Sequence, residues 1–346
     1  MAQPFVPEKG QLTGAAVTVA EGIAFFEGGN GFIDMSLSED GTLFYGAAQI
    51  ARYQPTWYGR DGKSLGQLGQ PDAYSELRIA PDGLRVGLRK AGDIWQMDFA
   101  RGIATRVTLK AASAVGPIWS PDSQRVVYNL YAPPNLFSHS VSGTGTDERL
   151  VESHDGMSPE DWSPDGRFLL YSANSNDISS NTRSGLWLLP MTGDHKPEPF
   201  LTSPFLGHGQ FSPNGKWIAY VSSESGRNEV FVQSFPASSF KQQVSIKGGD
   251  WVRWRSDGKE LFYVAPDRKV MSVAVRTSSV SLEFGTPSAL FAIPVASPSG
   301  PVVLSAYTYD VMPNGERFLA LAPTAESESP PMTVVLNWQA DLAGAK

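Results

Sequence analysis

Trp162-Ser163-Pro164-Asp165-Gly166-Arg167-Phe168-Leu169-Leu170-Tyr171 is the segment on which the fold turns. Proline presets φ at about −65°, aspartate bonds its own backbone and glycine takes positive φ freely, so Pro-Asp-Gly makes a tight turn between two strands. The run Phe168 to Tyr171 is apolar on both faces, as suits a strand covered on both sides. Near copies recur, so that seven stand along the chain: LSEDGTLFY (Leu37 to Tyr45), IAPDGLRVGL (Ile79 to Leu88), WSPDSQRVVY (Trp119 to Tyr128), the segment above, FSPNGKWIAY (Phe211 to Tyr220), WRSDGKELFY (Trp254 to Tyr263) and VMPNGERFLAL (Val311 to Leu321). Measured from the turn glycine (Ser123 in the third copy), the intervals are 42, 40, 43, 49, 43 and 57 residues. A strand-rich repeat of that period points to propeller blades of four short antiparallel strands.

Other runs complete the pattern. Third strands are predicted at Ile94 to Met97, Leu186 to Leu189 and Val230 to Val232, and weaker fourth strands at Arg106 to Leu109 and Pro199 to Thr202. An outermost strand faces water and is expected to be short and polar. The sequence therefore predicts an all-β, seven-bladed propeller filling residues 1–346 as a single domain, with turns near 38–41, 80–83, 120–123, 163–166, 212–215, 255–258 and 312–315. The last copy lacks a fourth strand, and Ala16 to Ile23 lacks a partner. Pairing Val17 to Ile23 with Met332 to Trp338 would close the ring and remove both sheet edges. The nearest helix candidate, Asn337 to Lys346, is a short tail of weak periodicity.

Composition agrees and excludes several functions. The chain has 346 residues, 41% hydrophobic and 18% charged, with 34 glycines and 26 prolines. It is ordinary globular composition, rich in turns. A net charge of −7 without clustered Lys or Arg disfavours nucleic acid. No apolar stretch approaches the roughly 18 residues of a membrane helix, and Met1 to Gly10 has no secretion-signal pattern. Cytoplasmic is thus only a default. The absence of cysteine removes disulfides, thiolate metal sites and a thiol nucleophile.

The phrases resemble the WD-like propeller repeats of the TolB type. More narrowly, the chain is similar to the C-terminal propeller region of large bacterial membrane-anchored serine/threonine protein kinases. The residues that carry this are Ala2-Gln3-Pro4-Phe5, Gln11 to Gly14, Val19 to Gly22, Gly193-Asp194 with Lys196-Pro197, Glu224 to Val230 and Val334 to Trp338. The resemblance implies a sensing or interaction domain lying outside the membrane, without an established ligand. It also implies that Ala2 to Phe5 is the third strand of a blade begun upstream, in a longer polypeptide.

Catalytic patterns are missing. There is no His-Arg-Asp or Asp-Phe-Gly kinase signature, no Walker loop and no Gly-x-Ser-x-Gly elbow. Ser238 to Lys241 is a Ser-x-x-Lys string in a loop. The histidines, His139, His154, His195 and His208, have no ligand spacing. His139 and His195 read as structural. His208, between two glycines just before a first strand, reads either as a surface loop residue or as a rim ligand. Glu76, Glu160-Asp161 and Asp250 hold equivalent entry positions and either converge on the axis or carry solvated charge. Trp119, Trp162 and Trp254 open repeats and belong to packing, whereas Trp251 stands beside Asp250 and Arg253 as a recognition candidate.

The expected function is a non-catalytic module binding a protein, peptide or small polar ligand, without metal or cofactor. The alternative is a loop-built propeller hydrolase or lyase acting on peptide or carbohydrate. Candidate ligand-binding residues are Tyr74, Glu76, Glu160, Asp161, His208, Trp251 and Arg253 from loops entering first strands. Asn174, Arg183 and Arg227 come from loops joining second and third strands. These loops share the face on which binding is predicted.

Overall fold

The computed structural model describes residues 1–3, 5–21, 23, 35–38, 40–46, 51–108, 113–131, 134–143, 145–153, 156–174, 184–203, 206–238, 240–277, 281–295, 307–324 and 332–338. Contacts divide the chain into two units, Arg52–Pro323 and a smaller one of Met1–Ala51 with Thr324–Lys346.

In the larger unit each phrase is a hairpin turn locked by its own side chains. In the copy at Ser163, that residue's amide donates to the Phe168 carbonyl (2.8 Å), the Phe168 amide donates to Ser163 Oγ (2.8 Å), and the Ser163 hydroxyl donates to Asp165 (2.7 Å). Ser120, Asp122 and Arg125 repeat this pattern, as do Ser212, Asn214 and Trp217. Gly166 sits at φ 76°, and Ser123 takes φ 58° in the same place.

Six antiparallel sheets result among the described residues of the larger unit. From inner to outer strand, the first sheet is Tyr74–Ile79, Arg85–Lys90, Asp93–Asp98 and Ala104–Arg106; the second is Ala114–Trp119, Arg125–Tyr131, Pro134–Ser140 and Glu148–Glu152. The third is Gly156–Trp162, Phe168–Asn174, Gly185–Pro190 and Glu198–Thr202; the fourth is Leu206–Phe211, Trp217–Ser222, Glu229–Ser234 and Lys241–Gln243. In the fifth, Asp250–Trp254, Glu260–Val264 and Lys269–Thr277 are followed by Leu282–Phe284 and Ser288–Ala292, both paired with the long third strand. Apolar side chains fill the space between sheets. Trp217, Val221 and Val232 of the fourth pack with Val252, Trp254 and Leu261 of the fifth.

The sixth sheet corrects the predicted closure. It takes its inner strands, Tyr309–Val311 and Arg317–Pro323, from the late part of the unit and its outer strands, Tyr53–Gly59 and Ser64–Gln67, from the early part. Arg317 to Pro323 pairs with Gly59 to Tyr53 over seven residues, burying Trp57 against Leu319 and Leu321. An N-terminal segment does close the ring, but it is this longer apolar strand rather than Val17 to Ile23. Val17 is bridged to Ala2, and Met332–Val335 pairs with Leu43–Gly46 instead.

The six later phrases each open one of the six sheets of four or more strands, and the first phrase, Leu37 to Tyr45, lies in the smaller unit. Its hairpin, Met35–Leu37 and Leu43–Gly46, joins Met332–Val335 in a three-stranded sheet. Phe5–Val6 and Gln11–Leu12 form a separate two-stranded hairpin. Among the described residues no helix is long and apolar enough to cross a membrane.

Candidate axial site

The six inner strands of the larger unit face one another around an axis, and their polar side chains meet there. In five of them the ladder to the second strand is interrupted by a bulge, for example between Gly207 and Gln210 and between Asp250 and Arg253. Gly116, His208 and Trp251 hold the same place, three residues before Trp119, Phe211 and Trp254, and all three have positive φ (65°, 52° and 51°). A bulge re-aims the side chains around it and spends backbone strain to do so.

One layer is set by the residue immediately before five of the six phrases of the larger unit, Ile118 being the apolar exception. Asp161 accepts the Phe211 amide (2.9 Å), Gln210 the Trp254 amide (2.8 Å) and Asp310 the Ile79 amide (2.7 Å), so each staples its own inner strand to another. The arginines in this layer pair with aspartates of other sheets, Arg78 with Asp161 (3.0 Å) and Arg253 with Asp310 (2.6 Å). Tyr307, just before the sixth inner strand, lies beneath both guanidinium groups, with centroid distances of 3.7 Å to Arg253 and 5.5 Å to Arg78.

Nearer the entry end, Glu76 accepts the Gly116 amide (2.5 Å), and His208 Nδ1 pairs with Asp250, which also accepts from Asn228 (3.1 Å). Burial disfavours the charged form of His208, but the Asp250 carboxylate outweighs it and raises the imidazole above its ordinary pKa. Asp250 is correspondingly held down: burial pushes it up, and His208 more than compensates. Burial raises Glu160 and Glu76, with His208 and Arg89 respectively opposing, and raises Asp161 against Arg78. Glu160 is fully buried and neither carboxylate oxygen has a hydrogen-bond partner; Arg78 Nη1, Arg253 Nη2, His208 Nε2 and the Tyr307 hydroxyl likewise have none.

A cavity of about 300 Å³ lies at the exit end, where first strands turn into second strands. Arg78, Asp161, Gln210, Arg253 and Asp310 line it, together with Trp119, Trp162 and Trp254 and the phrase prolines Pro81, Pro121, Pro164, Pro213 and Pro313. Toward the middle, Glu76, Arg78, Pro159 and Tyr307 border a second void of about 10 Å³, the size of one water.

The sequence-derived candidates distribute unevenly. Glu76, Glu160, His208 and Arg253 are buried, and Asp161 half-buried, on inner strands near the axis rather than solvated on entry loops, because the strands begin several residues earlier than the phrase suggests. Tyr74 packs with Trp57 and Leu77, and Trp251 with Tyr309. Asn174 ends the second strand of its sheet, half-buried. Arg227 lies on an exposed turn, bonded to Glu229 (2.6 Å) and the Ile246 carbonyl (3.1 Å). Arg183 lies outside the described residues. Sequence reasoning missed Arg78, Gln210, Tyr307 and Asp310. Aligning the phrases on their glycines and reading one residue upstream finds three of them, since a charged or amide side chain at that place recurs in a strand that is otherwise apolar.

The geometry has relatives among solved structures. A putative TolB from Agrobacterium tumefaciens is similar over 79% of this chain and 99% of its own, with 14% identity and a TM-score of 0.60. This is a TolB-like β-propeller fold. The hydrazine synthase of Kuenenia stuttgartiensis matches over 88% of this chain and 94% of its own (14% identity, TM-score 0.52), and an oligogalacturonate lyase in complex with manganese over 88% and 97% (12%, 0.51). Neither a family of known sequences nor a curated protein matches the sequence. At such identities the likeness speaks for fold alone.

Proposed function

We propose that the chain is a binding module that takes a peptide, a protein segment or a small polar molecule into the exit end of the propeller axis. The supporting observation is the cavity of about 300 Å³, floored by two buried ion pairs and walled by prolines and tryptophans. It has the size and the mixture of apolar wall and few fixed polar groups expected of a ligand pocket. In the kinase-associated architecture that the sequence resembles, such a module would serve as a sensor.

An enzyme acting on peptide or carbohydrate is the second reading. One arrangement favours it: the Asp250–His208 pair leaves Nε2 unpartnered, in a cluster with the Tyr307 ring, 4.9 Å from the imidazole. Proton transfer needs a group within reach of substrate. His208, Glu160 and Tyr307 do not line the larger cavity, so binding is preferred.

A thermal-shift screen against peptides and saccharides tests the reading. A ligand at a hundred times its Kd stabilises the folded state by about 2.7 kcal/mol and must raise Tm. Stabilisation lost on replacing Trp254 or Gln210 supports the axial module; turnover of a stabilising compound, abolished by His208→Gln, supports the enzyme.

A further inference from the structure

We infer that the floor of the axial cavity is a receptor for a carboxylate group, held by Arg78 and Arg253; this deepens the binding reading above and rests on it. Both arginines are at least nine-tenths buried, and each is only partly satisfied. Arg78 donates through Nη2 to Asp161, and its Nη1 has no partner. Arg253 donates through Nε to Asp310 and through Nη1 to the Val252 carbonyl, leaving Nη2 without one.

The aspartates cannot supply what is missing. Each spends its second oxygen on a backbone amide of another sheet, Phe211 for Asp161 and Ile79 for Asp310, so both carboxylates are fixed in place. A buried, unpaired guanidinium N–H is costly, and a guanidinium can only donate. Glu160, whose two oxygens also lack a partner, accepts from neither free nitrogen, so the group that completes the site must bring acceptor oxygens. A carboxylate suits two planar forks, with charge-assisted bonds strengthened by the low local dielectric. Tyr307, stacked 3.7 Å from the Arg253 guanidinium, covers the face of that fork and keeps its edge for in-plane bonding. The rest of the ligand meets prolines and indoles, surfaces that accept a sugar ring or a short peptide equally well.

Titration calorimetry on the unaltered chain with two matched pairs tests this: glucuronate against glucose, and acetyl-Ala-Glu-Ala-amide against its glutamine counterpart. The expected result is at least tenfold tighter binding of the acidic member of one pair, which also identifies whether the carboxylate comes from a sugar or a peptide. Arg78→Gln should bring that member down to the affinity of its neutral partner and leave the neutral partner unchanged. Should Arg78→Gln not fold, the pairwise comparison on the unaltered chain decides alone. Equal affinity within both pairs overturns the carboxylate inference while leaving the binding module standing. Failure of both acidic probes to bind overturns it as well.

Discussion

The same turn phrase makes a buried hairpin in the larger unit and an exposed one in the smaller. In Arg52–Pro323 the strand after the turn is covered on both sides: Leu169, Leu170 and Tyr171, or Ile218, Ala219 and Tyr220, are all buried. In the smaller unit the hairpin around Gly41 leaves Met35, Leu37 and Phe44 exposed. The turn chemistry is shared, for Ser38 caps the Thr42 amide (3.0 Å) as Ser163 caps Phe168. What differs is the surrounding sheet. The larger unit supplies a third and a fourth strand to every hairpin, whereas the smaller adds one, Met332–Val335, from far along the chain. Local sequence thus makes the turn, and the neighbouring sheets supply the burial.

Replacing the aromatic that opens a phrase should break the comparison most severely. Trp254→Ala is expected to cost the larger unit about 3–5 kcal/mol in a denaturant series, whereas Phe44→Ala, at a site already 39% exposed, should cost less than about 1 kcal/mol. Trp162, half-buried at the cavity wall, should fall between them.

The axis offers a contrast of charge rather than of packing. Asp310→Ala leaves Arg253 buried without its carboxylate and should destabilise the larger unit by about 3–5 kcal/mol, by chemical denaturation. Removing Asp165, exposed and paired with exposed Arg167, should change stability by less than about 1 kcal/mol beyond the loss of its turn bonds.

Turn glycines sharpen the comparison at the local level. Gly166 has φ 76° and open space where a Cβ would stand, so Gly166→Ala should cost about 1–2 kcal/mol from backbone strain alone. Gly41, at φ 84°, should lose a similar amount, but the loss should appear only in probes of the smaller unit.

The smallest expected effect is on pH dependence. His208 has a raised folded pKa, so its stabilisation is complete below its unfolded value near about 6.5 and is lost as pH rises through the folded value. Glu76, Glu160 and Asp161 are raised too and likewise favour the folded state at lower pH. Asp250 is lowered, and its contribution is lost only as pH falls through its folded value, below the ordinary carboxylate range. Tm should therefore decline from pH 5.5 to pH 8, and His208→Gln should flatten the decline; a rise over that interval would contradict the assignment.

The sequence left open whether Glu76, Glu160, Asp161 and His208 face the axis or solvent, whereas the repeat, the turn and the second and third strands were legible because each follows from a local pattern. The closing strand was not. Tyr53–Gly59 carries Pro55, which removes a ladder donor and argues against a strand, yet it becomes the third strand of the sixth sheet through pairing with residues more than 250 positions away. The face of the cavity was hidden for a related reason. The prolines that shape the turns also ring the exit end, and a turn residue does not announce that it lines a pocket. Bulges concealed the rest, since a one-residue slip moves a side chain such as His208 from the expected loop into the axis.

Hydrogen exchange of the chain with and without a ligand from the thermal screen tests the central claim most directly. If the ligand occupies the exit end of the axis, exchange should slow in the phrase turns, Ser120 to Arg125, Ser163 to Phe168 and Ser212 to Trp217, with no change in the segments entering the inner strands. Slowing confined to those entry segments, such as Ser245 to Gly249 and Gln70 to Ala73, would place the ligand on the opposite face and contradict the claim.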